Sequence, residues 1–578
     1  MLRILRNYKR AHGRHHPLLA IDFENNPKTG GFICAGIAGD IRHQTTKREN
    51  GKIKNIWTTK YIEKYFTDQT KLFKFLLDLD RNDCMIVTYN LAYDCTYLDA
   101  ITNHADSLYS GQRVIVIKLT NGLKAIDLFN HTMNGSLADW INWLDMTIKW
   151  GIAKADLLDY RNRVMNDARA TYRLGDFLEN FYFHECGIPL QLTVGAAAMK
   201  LFTMKYFTDY WARDDDFLSL YERSAYYGGR VEVFKRGKHK TYGYDVNSMY
   251  LSIIRDCVLP DIMTGKYVKN PPRKWLHYLS DYLGIWTIRV RTPIDIYLPV
   301  LPVRIGGKLK FPRGEFSGTW TSIEILEALK QGYEILQVFS FVYYRKSKHY
   351  FREFAKFIWG KRVEYRAKKN VGMDSMIKRI GNSLYGKFAQ RNSMDYFGRA
   401  GDFSDLKKLP PNSKFFTYAG EVWLSTKKEA TPAKFEFPCI SAFITAYARL
   451  KLYEAMIKNQ KSLIYCDTDS VKLSRQIKGV KVGADLGEWT YEIKGEVIPY
   501  YRPKMYANKR KGVPKRAKLI SVNRLREIWE YDKPLRRKES IKNGRMPNQW
   551  VTTQKVLTYL DDKRDWIKNQ SQPILFSG

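Results

Sequence analysis

The sequence predicts a multidomain protein that combines α/β and α+β layers. Its 578 residues are too many for one hydrophobic core, so we expect three or four domains. Short apolar runs that end in acidic residues predict strands, and stretches with apolar residues at helical spacing predict helices between them. A hydrophobic fraction of 44% is typical of a folded chain.

The net charge limits the class of partner. Lys and Arg total 96 against 59 Asp and Glu, which gives +37. Such an excess is typical of a protein that binds a polyanion, most simply nucleic acid. A membrane surface is the weaker alternative, because the sequence has no apolar run of about 18 residues and no amphipathic basic helix. The seven Cys residues never form Cys-x-x-Cys, which predicts reduced thiols in a cytoplasmic protein.

The segment 462–473 predicts a β-hairpin with Asp467 and Asp469 at its tip. An apolar, β-prone run enters the turn, and a short alternating strand leaves it. Side chains two positions apart on a strand share a face, so both carboxylates can reach one site. Oxygen-only ligands suit Mg²⁺, which would relieve the repulsion between two acids. A surface Asp-x-Asp turn is the plain alternative for this pattern taken alone.

A second strand and a basic helix supply further groups for this site. Asp245 follows the strand-like residues 241–244 and precedes an apolar helical start. In the helix predicted for 373–390, Lys378, Asn382 and Tyr385 are spaced i, i+4 and i+7 and therefore share one face. On one helix face, the cation can bind a triphosphate, the amide can make a polar contact and the aromatic ring can pack on a base. A generic basic helix is the alternative.

A second set of acidic residues lies in the first third of the chain. Asp22 and Glu24 end an apolar strand. Asp94 begins a predicted helix after the strand 85–90, and Asp167 lies within a helical segment. Acids at strand ends and helix starts are often caps. Together these four could instead bind two metal ions, which activate a water and stabilise the leaving oxygen of a phosphodiester.

In their order along the chain, these motifs resemble those of protein-primed family B DNA polymerases of bacteriophage type. Asp-x-Glu, Asn-x-x-x-Asp and Asn-Asp in a helix resemble the three exonuclease motifs. The segments 245–250 (DVNSMY), 378–386 (KRIGNSLYG) and 467–469 (DTD) resemble polymerase motifs A, B and C. The resemblance implies an RNase H-like 3′–5′ exonuclease domain and a right-hand polymerase of palm, fingers and thumb with two insertions.

The resemblance also implies roles for individual residues. Two Mg²⁺ ions per active site, with Mn²⁺ as the alternative, would be held in the polymerase by Asp245, Val246, Asp467 and Asp469, and in the exonuclease by Asp22, Glu24, Asp94 and Asp167. Lys154 would assist the exonuclease reaction. The implied nucleotide ligands are Val246, Ser248, Met249, Tyr250, Arg366, Lys378, Asn382, Tyr385 and Lys504. The implied DNA ligands are Asn90, Ser136, Leu137, Tyr226, Gly228, Gly229, Thr445, Arg449 and Tyr506.

One position departs from the family's pattern. The third exonuclease motif has a tyrosine four residues before the aspartate, where this chain has Arg163. Tyr160 is nearby but not at that spacing. The expected metal ligands are unaffected, whereas the group that orients the attacking water is left open.

The expected domains follow from the motif order. They are a basic tail without a signal peptide's apolar core (1–17), the exonuclease (18–185), the linker and motif A palm (186–260), the palm with a first terminal-protein-region insertion (261–350), the fingers (351–390), the second such insertion (391–438), the palm with motif C and a Lys-x-Tyr motif (439–508) and the thumb (509–578). The expected partners are a DNA template and primer, deoxynucleoside triphosphates and a terminal priming protein. The chain is expected to be a monomer without a membrane segment.

The sequence leaves other functions open. A family B polymerase that extends ordinary nucleic-acid primers would not need the two insertions. A nucleic-acid-binding protein with inactive sites is disfavoured because all seven expected carboxylates are present. A reverse transcriptase is disfavoured because the hairpin reads Asp-Thr-Asp and not two adjacent aspartates.

Overall fold

The computed structural model describes residues 3–6, 17–49, 52–110, 113–133, 135–146, 159–392, 395–403, 411–427, 430–507, 509–523 and 525–577. The expected mixture of helices and sheets in several domains is confirmed. Two large sheets dominate: a mixed one in the N-terminal third and an antiparallel one that carries the Asp-Thr-Asp hairpin. No helix in these ranges is long and apolar enough to cross a bilayer. The seven cysteines are described and form no disulfide.

The N-terminal sheet has ten strands. In spatial order they are Lys414–Tyr418, Glu421–Lys427, Asp395–Arg399, Thr102–Ser110, Arg113–Leu119, Lys124–Asp127, Met85–Thr88, Leu18–Asn25, Phe32–Glu49 and Lys52–Phe66. The central strands Leu18–Asn25, Met85–Thr88 and Lys124–Asp127 are parallel. Strands buried on both faces read as continuous apolar runs, which is why the sequence predicted Leu18–Asn25 and Met85–Thr88. The helices around the sheet are Gln69–Leu77, Leu91–Asp94, Phe129–Thr132, Leu137–Trp143 and Tyr160–Asn180, with a 3₁₀ segment Cys95–Ile101.

The second large sheet is antiparallel and has seven strands. In spatial order they are Val231–Val233, Leu463–Asp467, Ser470–Leu473, Gly237–Val246, Trp489–Arg502, Met505–Tyr506 and Lys509–Arg510. The helix Pro438–Lys458 packs behind it and is buried on most sides. Proline at its first turn costs no hydrogen bond, so the helix begins cleanly there. The helix Met249–Asp256 follows directly from the strand that ends at Val246.

Residues 261–350 build a sheet of their own with a helix against it. Its five strands are Gly265–Lys269, Glu334–Tyr344, Leu283–Arg291, Arg313–Thr321 and Leu575–Ser577. The expected strand-to-helix transition near residue 320 is confirmed, because the strand ends at Thr321 and the helix Ser322–Lys330 follows. The last strand of the chain pairs with Arg313–Thr321 in parallel. The C-terminal region therefore supplies one strand to this sheet.

Two long helices cross in front of the antiparallel sheet. They span Arg352–Ala367 and Val371–Phe388, close to the predicted 351–369 and 373–390. Asn370 caps the second helix, because its side chain accepts a hydrogen bond from the Met373 backbone N–H at 2.9 Å. Two shorter helices, Val194–Leu201 and Asp216–Ser224, precede the antiparallel sheet.

The loop-rich segment 391–438 and the C-terminal region both contact the N-terminal domain. The strand Asp395–Arg399 pairs with Thr102–Ser110, so the segment extends that sheet at one edge. The C-terminal region has a three-stranded sheet of Lys518–Val522, Arg526–Pro534 and Trp550–Thr558, a helix Arg537–Lys542 and a hairpin of Arg564–Ile567 and Gln570–Pro573. Smaller two-stranded pairs join Arg3–Leu5 to Trp211–Arg213, Leu259–Pro260 to Ser347–Lys348, Val303–Ile305 to Lys308–Lys310 and Arg391–Asn392 to Thr431–Pro432.

Candidate active sites

The predicted hairpin is present, and its tip is tightly packed. Asp467 pairs with Ser470 across the turn, and Thr468 occupies the left-handed region at φ 58°. The Thr468 backbone N–H donates to the carbonyl of Arg230 at 2.7 Å. A Cβ on Gly229 would lie 2.8 Å from Thr468 Oγ1, so only glycine fits beside the turn. The loop 226–229 is thus docked directly on the hairpin.

Asp245 reaches the hairpin through the neighbouring strand. It lies opposite Ser470, and the Val246 backbone N–H donates to the carbonyl of Asp469 at 2.8 Å. Burial, and then repulsion from Asp469, raise the pKa of Asp245 to about 7. Burial also raises the pKa of Asp469, and the Lys378 ammonium lowers both values. Asp245 and Asp469 therefore form a half-buried acidic pair that lacks a full counter-charge.

Asp467, the third carboxylate of the predicted site, is paired with a lysine in this structure, and its role as a metal ligand stays a prediction. Its Oδ1 lies 2.5 Å from Lys504 Nζ, and its Oδ2 accepts a hydrogen bond from the Tyr465 hydroxyl at 3.0 Å. The same contact occupies the Lys504 ammonium, whose role as a nucleotide ligand also stays a prediction. The physical reason for the contact is the turn at Lys504, φ 64°, which places that side chain beside the strand carrying Asp467.

Two tyrosines and a polar helix face lie in front of the acidic pair. The rings of Tyr250 and Tyr385 are stacked, with centroids 4.6 Å apart and planes at 13°. Lys378 is exposed on the same helix as Tyr385. Asn382 lies between them in sequence, and its Oδ1 is buried without a hydrogen-bond partner among the described residues. The predicted stripe of cation, amide and aromatic ring therefore exists. The Met249 side chain is buried in the core, and its predicted contact with the nucleotide is not tested by this structure.

Sequence reasoning missed Arg362, which joins the fingers helices to the strand-end turn of Asp245. Its buried guanidinium donates to the Ser248 hydroxyl and to Asp374 Oδ1, the latter at 2.7 Å. Ser248 is itself in the left-handed region at φ 53°. Arg366, the expected phosphate ligand, lies 3.2 Å from the same Asp374. The available signal was the i, i+4 spacing of the two arginines.

The four acids of the second set come from three elements of the N-terminal sheet. Carboxylate oxygens of Asp22, Glu24 and Asp167 all lie within 4.8 Å of one another. Asp94 is buried beside them, and its Oδ2 has no hydrogen-bond partner among the described residues. Burial, and then repulsion from Asp94, raise the pKa of Asp22 well above its usual value, and burial raises the pKa of Asp167 to about 6. Burial raises the pKa of Glu24 to about 7 despite the Arg163 guanidinium at 2.6 Å, which lowers it.

These donor sets fit divalent metal ions. Each consists of carboxylate oxygens, which hard cations such as Mg²⁺ prefer. The orphaned oxygen of Asp94 and the raised pKa values show that Arg163 and Lys378, the nearby cations, do not balance the charge of these acids. A divalent ion would supply that charge and would restore ordinary ionisation of the carboxylates. Asp245 with Asp469, and Asp22 with Glu24, Asp94 and Asp167, are the residues that would hold such ions.

Comparison with known proteins identifies the family of this chain. The family described as DNA polymerase type B, organellar and viral, matches residues 147–474, which is more than half of the chain. The chain belongs to this family of type B DNA polymerases. A probable DNA polymerase of Neurospora intermedia is 28% identical over 322 residues, 52% of this chain and 32% of that protein. The DNA polymerase of Bacillus phage phi29 is 28% identical over 307 residues, 49% of this chain and 48% of that one. The chain thus matches about half the length, or less, of these curated relatives.

A solved structure shares the type B polymerase fold. Phi29 DNA polymerase complexed with primer-template DNA and incoming nucleotide superimposes with a TM-score of 0.67. The match covers 95% of this chain and 100% of that chain at 15% sequence identity. At that identity the likeness establishes the arrangement of the elements.

The expected DNA ligands of this type B polymerase fall into two groups. Asn90, Ser136, Leu137 and Tyr226 remain at least partly accessible. Thr445, Arg449 and Tyr506 are buried in this structure, and their contact with DNA stays a prediction. The Thr445 hydroxyl donates to the Ser441 carbonyl at 3.0 Å, and Tyr506 stacks on Tyr500. Lys154, expected to assist the exonuclease, lies outside the described residues.

Arg449 positions the loop 226–229 from behind. Its NH1 donates to the carbonyls of Tyr227 at 2.6 Å and Gly228 at 3.1 Å, and its NH2 donates to Glu324 Oε1 at 2.7 Å. The loop is therefore held between this arginine and Thr468 at the hairpin tip. These hydrogen bonds give Arg449 a structural role in holding the loop.

Asp127 holds backbone groups in place beside the second acid cluster, as Arg449 does beside the hairpin. This role was not predicted from the sequence. Its Oδ1 accepts hydrogen bonds from the backbone N–H groups of Asn90 and Phe129, both at 2.9 Å. Asn90 has φ 80°, and this pair of bonds holds it in that conformation. Asn90 lines a cavity of about 930 Å³ between the N-terminal sheet and the C-terminal region, together with Tyr93, Arg113 and Lys533.

Proposed function

We propose that this chain is a DNA-directed DNA polymerase with a 3′–5′ exonuclease, primed by a terminal protein. The observation that carries the polymerase assignment is the Asp245–Asp469 pair on adjacent strands, with Lys378 and the stacked Tyr250 and Tyr385 in front of it. The net charge of +37 supports a nucleic-acid template as the partner.

In the polymerase reaction a primer 3′-hydroxyl attacks the α-phosphorus of a deoxynucleoside triphosphate, and pyrophosphate leaves. When bound, two Mg²⁺ ions lower the pKa of the attacking hydroxyl and neutralise the leaving group. Asp245 and Asp469 would hold these ions. Lys378 supplies a point charge to the triphosphate, and Arg366 a second one once it leaves Asp374. Tyr385 packs against the nascent base pair.

Tyr250 is the residue that selects the sugar. Its ring lies against Tyr385 and is held by the helix that begins at Met249. A 2′-hydroxyl on the incoming nucleotide would collide with this ring, whereas a deoxyribose would pack on it. Arg362 positions the turn through the Ser248 hydroxyl, so that the ring keeps its place.

In the exonuclease reaction water attacks the terminal phosphodiester of a frayed primer. Asp22, Glu24, Asp94 and Asp167 hold the ions that activate this water when bound. Asn90 contacts the strand, since Asp127 fixes its backbone at the edge of the large cavity. The C-terminal side of this cavity is basic, since it is lined by Lys533, Arg536, Arg537 and Lys538.

Priming by a terminal protein is supported by the two extra subdomains, the five-stranded sheet of residues 261–350 and the strands of residues 391–427. A polymerase of the same family that extends ordinary primers is the alternative. Incubation with a candidate terminal protein, a labelled nucleotide and Mg²⁺ should produce a covalent protein–nucleotide adduct. Extension of a nucleic-acid primer without any such adduct would favour the alternative.

Polymerase activity itself is tested by primer extension in Mg²⁺ with the Asp469→Ala variant as the control. We expect the parent protein to extend a primed template and the variant to lose at least about a thousandfold in rate, since removal of a metal ligand costs several kcal/mol of transition-state stabilisation. Equal extension by both proteins would refute the assignment.

A further inference from the structure

A cation is built into the acid cluster of the proposed exonuclease. Arg163 lies one helical turn before Asp167 on the helix Tyr160–Asn180, and its Nε is 2.6 Å from Glu24 Oε1. The Glu24 side chain is only 9% exposed, whereas that of Arg163 is 57% exposed. A guanidinium is therefore held on one of the three carboxylates whose oxygens converge.

Backbone packing fixes this pair in place. A Cβ on Gly36 would lie 2.7 Å from the carbonyl of Val164, so the helix and the strand Phe32–Glu49 are in direct backbone contact. Strand pairing sets Glu24 opposite Cys34, two positions before Gly36. The base of Arg163 therefore cannot move away from Glu24, although its exposed guanidinium can swing into solvent without disturbing the core.

Tyr160, the nearby tyrosine, has a different environment. Its ring packs against the small apolar cluster of Cys34, Val164 and Met165. Its backbone carbonyl also accepts a hydrogen bond from the Cys34 thiol at 3.9 Å. Arg163, one turn before Asp167, thus presents a charge to the acids. The family's pattern has a tyrosine hydroxyl at this position.

A guanidinium and a divalent ion compete for the same carboxylate oxygen. Arginine cannot be deprotonated in a protein, so its charge persists at every working pH. Mg²⁺ requires direct contact with its carboxylate ligands at about 2.1 Å. Glu24 Oε1, already 2.6 Å from the Arg163 Nε, is therefore less available to a metal ion than an unpaired carboxylate oxygen.

We propose that Arg163 is a resident counter-ion that competes with divalent metal for Glu24 and so lowers the metal affinity of this site. The inference rests on the proposed exonuclease function, since it concerns the metal ligands of that site. Arg163 is a positioning residue in this scheme. It neutralises the cluster when metal is scarce and yields Glu24 when metal is abundant.

The test is a Mn²⁺ titration followed by the electron paramagnetic resonance signal of the free ion, without DNA. The background carries Asp245→Asn and Asp469→Asn, so that the polymerase site does not contribute. Arg163→Ala and Arg163→Tyr remove the charge, and Arg163→Lys keeps it. The Mn²⁺ concentration for half-maximal nuclease activity on single-stranded DNA is the second readout, measured without the two background changes.

We expect Arg163→Ala and Arg163→Tyr to bind Mn²⁺ about tenfold more tightly than the parent, equivalent to about 1.4 kcal/mol. Arg163→Lys should stay close to the parent. Unchanged or weaker binding by Arg163→Ala, in a variant whose melting temperature matches the parent, would overturn the inference. If Glu24→Gln removes no Mn²⁺ from the parent at any concentration, the proposed exonuclease metal site itself fails, and this result is distinguishable from the first.

Discussion

At the scale of single residues, the geometry of the polymerase site depends on close contacts around the hairpin tip. Gly229 leaves room for Thr468, Arg449 holds the carbonyls of the loop between Tyr227 and Gly228, and Lys504 occupies Asp467. Each contact restricts the conformation of the hairpin tip. The two remaining acids, Asp245 and Asp469, are thereby left for metal ions.

The glycine pair in the loop 226–229 offers a matched comparison. In Gly229→Ala the new Cβ would lie 2.7 Å from Thr468 Cγ2, whereas in Gly228→Ala nothing lies within 4 Å. Overpacking of this kind costs about 1–3 kcal/mol, so we expect Gly229→Ala to slow primer extension about tenfold or more. Gly228→Ala should stay within about twofold of the parent. Equal rates for the two variants, measured under single-turnover conditions, would contradict this account of the loop.

At the scale of elements, the junction of the segment 391–427 with the N-terminal sheet is the least expected feature. Gly398 lies against His104, where a Cβ would come within 2.1 Å of the histidine Cβ. Burial, and then the charges of Arg537 and Arg399, lower the pKa of His104 to about 2. Its Nε2 lies 3.9 Å from both Asp99 and Asp402, but those acids are paired with the two arginines, so the imidazole stays neutral.

This histidine makes stability depend on pH. The folded pKa of His104 lies below the unfolded value of 6.5, so the unfolded chain binds the proton more readily. The stability is present above pH 6.5 and is lost as the pH falls below it. Between pH 7.5 and 5.5 we expect His104 to account for a loss of about 1.4 kcal/mol.

The measurement compares thermal or denaturant unfolding of the parent with that of His104→Phe at the two pH values. The variant should lose about 1.4 kcal/mol less than the parent on acidification. The exposed His277 supplies the control, because His277→Phe should follow the parent. Identical pH dependence for parent and His104→Phe would show that the imidazole is not held neutral.

The sequence predicted elements whose pattern is local. The strand Leu18–Asn25, the two fingers helices and the Asp-Thr-Asp hairpin all lie close to their expected bounds, because period and turn residues specify them. Partners distant in sequence were not predictable. Nothing in the local pattern indicates that Arg449 reaches the carbonyl of Tyr227, or that Lys504 pairs with Asp467. Burial and pairing of charged side chains are decided by tertiary packing.

At the scale of the whole molecule, three parts of the chain meet around one arginine. Arg537, in the C-terminal region, is 6% exposed and lies 2.7 Å from Asp99 in the N-terminal domain. Its guanidinium also lies over the rings of Phe397 and Trp423, which belong to the segment 391–427. We expect this contact to close the molecule around DNA, since it joins segments that otherwise leave the antiparallel sheet in different directions.

Loss of this contact should affect long synthesis more than chemistry. Breaking a buried ion pair costs about 3–5 kcal/mol, so Arg537→Ala should loosen the junction and shorten the products made per binding event. Single-nucleotide insertion should change little, because the guanidinium lies away from Asp245 and Asp469. Arg536→Ala removes the same charge from an exposed neighbour and serves as the control. Product lengths on a primed circular template with a trap for free enzyme are the readout, and equal lengths for parent and Arg537→Ala would contradict this role.

The central claim is that two separate acid clusters support opposite reactions on the same DNA strand. One experiment tests it directly: primer extension and 3′–5′ degradation measured side by side in Mg²⁺ for the parent, Asp469→Asn and Asp22→Asn. The account predicts that Asp469→Asn loses extension and keeps degradation, whereas Asp22→Asn loses degradation and keeps extension. Loss of both activities in either variant, or of neither in both, would contradict it.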